Sequence, residues 1–149
     1  MREQEDTIQL LRELLQSQTL ASLSTGSGDG AYASLIAIVP APDCRSLLFA
    51  TTRATRKFAH LQTDSRVALL VDNRRNRLED FTDASAVTLI GVARELEAAE
   101  RPPAETVYLE RFPHLALFVR SPGSALFQVE IDRCLLVTRF QHVTELHLR

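Results

Sequence analysis

Leu47-Leu48-Phe49-Ala50-Thr51-Thr52-Arg53-Ala54-Thr55-Arg56-Lys57-Phe58-Ala59-His60-Leu61 is the stretch on which the fold turns. Its apolar opening, Leu47 to Ala50, reads as a strand, and Phe58 to Leu61 reads as part of a short helix. Between them stand three threonines, two arginines and a lysine. A helix N-terminus carries unpaired N–H groups and the positive end of the macrodipole. Cations and hydroxyls gathered there favour an anion with several oxygens, such as a phosphate. A second reading stands beside it: a solvated cap in which Thr55 is the N-cap and the basic side chains face water.

Upstream, Pro40-Ala41-Pro42-Asp43 separates Ser46–Ala50 from the apolar run Tyr32–Val39, which predicts an antiparallel hairpin. Both alternating sets of Tyr32–Val39 are largely apolar, so both faces of that strand are expected to be buried, with Ser34 as the polar exception. Three glycines in Gly26-Ser27-Gly28-Asp29-Gly30 make a tight connection to a preceding strand over Thr19–Thr25. Asp6-Thr7-Ile8-Gln9 resembles a capping box and opens an amphipathic helix of about three turns, with Ile8, Leu11 and Leu15 on one face. Downstream, a brief helix from Arg56 to Gln62 stops at Asp64-Ser65, and Arg66–Val71 is again a strand.

Taken together, Tyr32-Ala33-Ser34-Leu35, Phe49-Ala50-Thr51-Thr52, Thr55-Arg56-Lys57 and Asp64–Leu70 resemble the FMN-binding split barrel of the pyridoxamine 5′-phosphate oxidase-like superfamily, with its haem-utilisation branch as the nearest pattern. The resemblance implies that Thr55, Arg56 and Lys57 hold the FMN phosphate. Thr51 and Thr52 would line the ribityl and flavin side, and Ser34 would face the flavin from the neighbouring strand. It also implies a homodimer with the cofactor at the subunit interface. One face of the Tyr32–Val39 strand is then free to meet the partner.

The remaining chain fits an α+β fold, a split barrel of about six antiparallel strands with flanking helices, in a single domain over 1–149. Asp72–Asp83 is a polar connection in which Arg74, Arg75 and Arg77 are offset by acids. Ala84–Ala93 is a strand, with Gly91 marking a bulge or a close backbone approach. Ala86 stands where the vitamin-B6 oxidases place a flavin-touching glutamine. A helix begins at Pro102-Pro103, and a shorter one spans Pro113–Val119. Tyr108, Phe112, Leu115 and Phe118 are spaced for packing. Phe127, Val129 and Ile131 alternate with polar residues along a strand, and Asp132-Arg133 is expected to turn the chain before Cys134–Phe140. The haem-utilisation branch follows with a Gly-Phe-Gly turn, replaced here by Arg139-Phe140-Gln141.

A net charge of −2 argues against general nucleic-acid binding, and the charged N-terminus and short apolar runs give no membrane anchor or signal. A cytoplasmic protein is expected. Cys44 and Cys134 fit small buried hydrophobes, and no metal site is expected, His114 included. His60, His142 and His147 are candidates only because histidine as a residue type works as an acid or base near neutrality; they stand in no catalytic spacing, so the ordinary structural reading holds for each.

The expected function is an FMN-dependent oxidoreductase acting on a small molecule, with no catalytic acid or base evident. A non-catalytic module binding FMN, F420 or haem is the alternative from another class, and a haem-degrading protein is a third. The longer haem oxygenases carry a C-terminal module that this sequence does not show. A true pyridoxamine-phosphate oxidase is least favoured. Its Arg-x-His signature is not visible, and the sequence has no tryptophan, which that branch places beside the flavin.

Overall fold

Strands whose side chains alternate between a buried and an open face make up most of the chain. The computed structural model describes residues 1–139 and 141–148. In chain order the elements are α1 (Arg2–Ser17), β1 (Leu20–Ser27), β2 (Gly30–Pro40), β3 (Ser46–Thr52), α2 (Arg56–Thr63), β4 (Arg66–Asp72), α3 (Asp80–Asp83) and β5 (Ala86–Glu95). They continue with α4 (Arg101–Arg111), a 3-10 turn (Pro113–Leu115), α5 (Ala116–Val119), β6 (Ser124–Thr138) and β7 (His142–His147). The sheet runs β3-β2-β1-β4-β5-β6-β7, and β3 pairs again with β6, so six antiparallel strands close a barrel and β7 is added outside it. Closure leaves the six strands without a free edge.

The barrel interior is filled by the inward set of each strand, including Leu23, Ile38, Phe49, Leu69, Leu89 and Phe127. Phe49 and Phe127 stack at 5.1 Å, and Phe58 of α2 meets Phe127 edge-on at 6.1 Å, which anchors α2 in the core. A second cluster forms outside the barrel wall, where Tyr108 of α4 and Phe112 just after it pack on Val39, Ala50 and Leu126. The Tyr108 hydroxyl donates to the Ala37 carbonyl at 2.9 Å. Both cysteines are buried thiols, and burial pushes Cys134 up to about 12. Among the described residues no helix is long and apolar enough to cross a membrane.

Three sequence expectations are corrected. α1 begins at Arg2 and spans 16 residues, so Asp6–Gln9 lies inside it. Thr7 is buried there and donates its hydroxyl to the Glu3 carbonyl one turn back at 2.8 Å instead of capping. The chain does not turn at Asp132-Arg133, because β6 runs unbroken for 15 residues. Ile90 pairs with Arg133 and Gly91 with Ile131, so Asp132 is the extra residue of a bulge. At that bulge β6 leaves β3, which it pairs over 124–130, and takes up β7 over 133–138. Finally, β2 is buried on both faces only toward its end. Leu35 is 70% exposed, and Ala31, Tyr32 and Ala33 are also open.

The β6–β7 connection holds Arg139 at φ 47° and Gln141 at φ 76°, the left-handed region where a Cβ is unfavourable. Phe140 between them lies outside the described residues. Glycine at either position removes the steric penalty but adds chain entropy to the unfolded state. Arg139→Gly and Gln141→Gly are therefore each expected to stabilise the protein by about 0.5–1 kcal/mol, read by urea unfolding.

Candidate functional site

β3 ends in Thr51-Thr52, and the chain turns into α2 through Arg53-Ala54-Thr55. Thr55 is the N-cap, its Oγ1 accepting from the Phe58 N–H at 3.3 Å. Thr51 is 2% exposed, and its hydroxyl bonds Thr55 Oγ1 at 2.9 Å and the Thr52 carbonyl at 3.2 Å. Thr51 thus fixes Thr55 from behind, while Thr52 is half-buried beside it. The cap geometry and the anion reading coexist, since capping one N–H leaves other first-turn donors pointing outward.

The cations of this turn have separate fates. Arg53 is committed to Glu95 through two hydrogen bonds of 3.1 and 2.6 Å, and its guanidinium lies over Phe58. Arg56 stands over the Tyr32 ring at 5.3 Å and has no carboxylate partner among the described residues. Lys57 is half-buried, has no ion pair or hydrogen bond among the described residues, and is held below the usual lysine range by burial alone. Two cations at the start of one helix thus lack an anion that the chain supplies elsewhere to Arg53, Arg66 and Arg94.

A cleft of about 580 Å³ lies over this turn, lined by Ser27, Asp29, Ala54, Thr55, Arg56, Ala59, His60 and Thr63. Lys57 does not line it, being about 100° around the helix from Arg56. Ser34 of β2 is on the same face as Tyr32, Ile36 and Ile38, and its Oγ is buried without a hydrogen-bond partner. Among the described residues no neighbour satisfies it, and it shares its face with the core residues Ile36 and Ile38. His60 has a comparable orphan at Nε2. Of the residues expected to hold a phosphorylated cofactor, Thr55 and Arg56 line this cleft, while Ser34, Thr51, Thr52 and Lys57 do not.

A wider cleft of about 700 Å³ sits under the β4–β5 connection, lined by Leu78, Phe81, Ala86 and Val137 among others. There the Asp80 carboxylate accepts from the N–H groups of Arg75 and Arg77, and Arg74 pairs with Asp72 at 3.4 Å. Among the described residues Arg74 is the one arginine of this connection with an ion pair, while Arg75 and Arg77 reach Asp80 through their backbone N–H groups, so Arg77 leaves a cation on this hollow as well. His114 sits edge-on to Phe112 at 6.2 Å in the 3-10 turn.

A closed six-stranded antiparallel barrel with a seventh strand outside it is the split barrel of the pyridoxamine 5′-phosphate oxidase-like superfamily. The chain belongs to the Pyridoxamine 5'-phosphate oxidase family, whose model matches residues 8–143. No curated protein matches it in sequence. Among solved structures it is similar to ChuZ of Campylobacter jejuni, with TM-score 0.82, 11% identity and coverage of 97% of this chain and 60% of that one. A haem-binding protein of Mycobacterium smegmatis gives TM-score 0.80 and 16% identity, covering 91% of this chain and 55% of that one. An FAD-binding protein of Mesorhizobium loti gives TM-score 0.69 and 12% identity, covering 86% and 90%. At these identities the likeness is one of fold, and the chain spans little more than half of the first two proteins.

Burial of Lys57 has a testable consequence. Its pKa is lower folded than unfolded, so the unfolded chain binds more protons across that interval and unliganded stability rises as pH increases through it. An anion beside Lys57 reverses the preference, so anion affinity falls over the same interval, at lower pH than an ordinary lysine would give. Lys57→Met is expected to raise the unfolding temperature of the unliganded protein at pH 7 while weakening phosphate-ester binding roughly tenfold. Calorimetric scans with and without ligand measure both.

Proposed function

We propose that the protein binds FMN and acts as a flavin-dependent oxidoreductase on a small molecule. The observation that carries this reading is the pair of unpartnered cations, Arg56 and Lys57, at the N-terminus of α2. Thr55, braced by Thr51, adds a hydroxyl at the same turn, and the first-turn N–H groups complete a phosphate cradle. Thr52 leads away from the phosphate toward the ribityl chain. Ser34 offers its unpaired Oγ to the ring system. Bound FMN would supply the electron transfer, and the chain's part is to hold it, orient it and limit solvent around it.

The second part of the proposal is a homodimer. Leu35 is 70% exposed, Leu20 55% and Leu70 41%. The strand registers place Leu35 and Leu70 on either side of Ser22, so these leucines form one apolar face with Ala33 and Ala68 on the outside of the barrel. A second copy covering that face would bury the open side of β2, the strand that carries Tyr32 and Ser34. Leu35→Lys is expected to convert a dimer into a monomer in sedimentation at micromolar concentration and to weaken FMN binding along with it.

The absorption spectrum of the purified protein, before and after NAD(P)H, tests the functional reading. A flavin spectrum that bleaches on reduction supports the oxidoreductase. Flavin that binds without turnover supports a non-catalytic module, and a Soret band supports a haem protein, as the likeness to the mycobacterial haem-binding protein allows.

A further inference from the structure

His60 follows Arg56 by one helical turn, so the two side chains share a face of α2 and line the same cleft. The imidazole is 5% exposed. Nδ1 lies 3.0 Å from the buried Thr25 hydroxyl of β1, and the ring stands edge-on to Tyr32 at 5.9 Å. Those two contacts fix its plane. Either partner of this pair could donate; the arrangement that gives the buried Thr25 proton its acceptor has the hydroxyl donating to Nδ1, which assigns the ring proton to Nε2. Nε2 then has no hydrogen-bond partner among the described residues. Its nearest carboxylate oxygen, Asp29 Oδ1 in the β1–β2 hairpin, is 3.7 Å away, beyond hydrogen-bond length, on a side chain 74% exposed that already accepts from Ser27.

The ionisable groups around the ring are therefore Asp29 from the hairpin, Tyr32 from β2, and Arg56 and Lys57 from its own helix. Tyr32 links them, because its ring meets the imidazole and also carries the Arg56 guanidinium. A nearly dry N–H beside an unpaired guanidinium, both on one cleft, is a donor pair for a tetrahedral oxyanion.

We propose that His60 is a binding residue of this site, donating Nε2–H to a phosphate oxygen of the ligand that Arg56 holds. The proposal rests on the FMN reading of the grip and adds a contact to it. The contact is specific to the phosphate, so it discriminates FMN from riboflavin and leaves the ring system untouched.

The test compares FMN and riboflavin affinities in the wild type and in His60→Asn, with histidine ring nitrogen resonances of the wild type followed during titration with FMN and with inorganic phosphate. Asparagine can keep a partner for Thr25 but does not reach the position of Nε2. The expected result is a roughly tenfold or greater loss of FMN affinity in the variant with riboflavin affinity unchanged, and a His60 Nε2 resonance that moves with FMN and phosphate but not with riboflavin. A wild type that prefers FMN while the Nε2 resonance stays still, or a variant that loses both flavins equally, overturns the His60 contact and leaves the grip standing. A wild type with no preference for FMN over riboflavin overturns both. If His60→Asn does not fold, the wild-type resonances decide alone.

Discussion

Replacing Arg56 and Lys57 together by alanine is expected to lower FMN affinity by about 10²- to 10⁴-fold, to be read by quenching of flavin fluorescence. On the proposed reading each side chain would give a phosphate a charge-assisted hydrogen bond of about 1.5–3 kcal/mol, and neither is paired with an acid among the described residues. The expected effect exceeds that of removing an ordinary surface cation, since Lys57 is already partly desolvated and Arg56 is held against Tyr32 before any ligand arrives. Arg53→Ala is the instructive contrast. Arg53 stands in the same turn but is engaged by Glu95, so its loss is expected to change FMN affinity by less than about threefold, through the packing over Phe58 alone.

The largest expected effect on stability is at Gly91. A Cβ there would lie 2.0 Å from the Glu130 carbonyl oxygen and 2.9 Å from its carbon, both backbone atoms of the paired strand β6. Relief requires β5 and β6 to separate at the bulge, where the barrel wall passes from β3 pairing to β7 pairing. Gly91→Ala is expected to cost about 3–5 kcal/mol, lowering the thermal midpoint by roughly 10–20 °C, or to prevent folding. Gly123→Ala, with open space around the new methyl, serves as the control and should stay within about 0.5 kcal/mol.

The parts of the fold legible in the sequence were those determined by local chemistry. Thr55 as an N-cap, the glycine-rich β1–β2 connection and the strand–helix handover at Thr51–Arg56 each follow from neighbours within a few residues. Gly91 could be read as a bulge or a close approach and is both. Errors arose where a local signal had a distant competitor. Asp132-Arg133 has the polarity of a turn, yet Arg133 is drawn into the sheet opposite Ile90 and pairs with Glu145 across β7 at 3.5 Å. Asp6–Gln9 has the letters of a capping box, but residues 2–5 extend the helix and Thr7 spends its hydroxyl inside it.

The site shows the same division. The basic turn was visible, but the different fates of its cations were not, because Glu95 is 42 residues from Arg53. His60 had no partner at motif spacing, and Thr25 lies 35 residues away on a strand that only the closed barrel brings beneath α2. The 700 Å³ cleft of the β4–β5 connection was likewise invisible, since Ala86 and Val137 meet only through the β5–β6 pairing.

Titration of the purified protein with FMN and with riboflavin, under identical conditions, bears most directly on the phosphate grip, because the two ligands share the ring and ribityl chain and differ only in the phosphate. FMN is expected to bind at least about 100-fold more tightly, the equivalent of two charge-assisted contacts. Equal affinities, or binding of neither flavin, would contradict the assignment of Thr55, Arg56 and Lys57 as the FMN phosphate site.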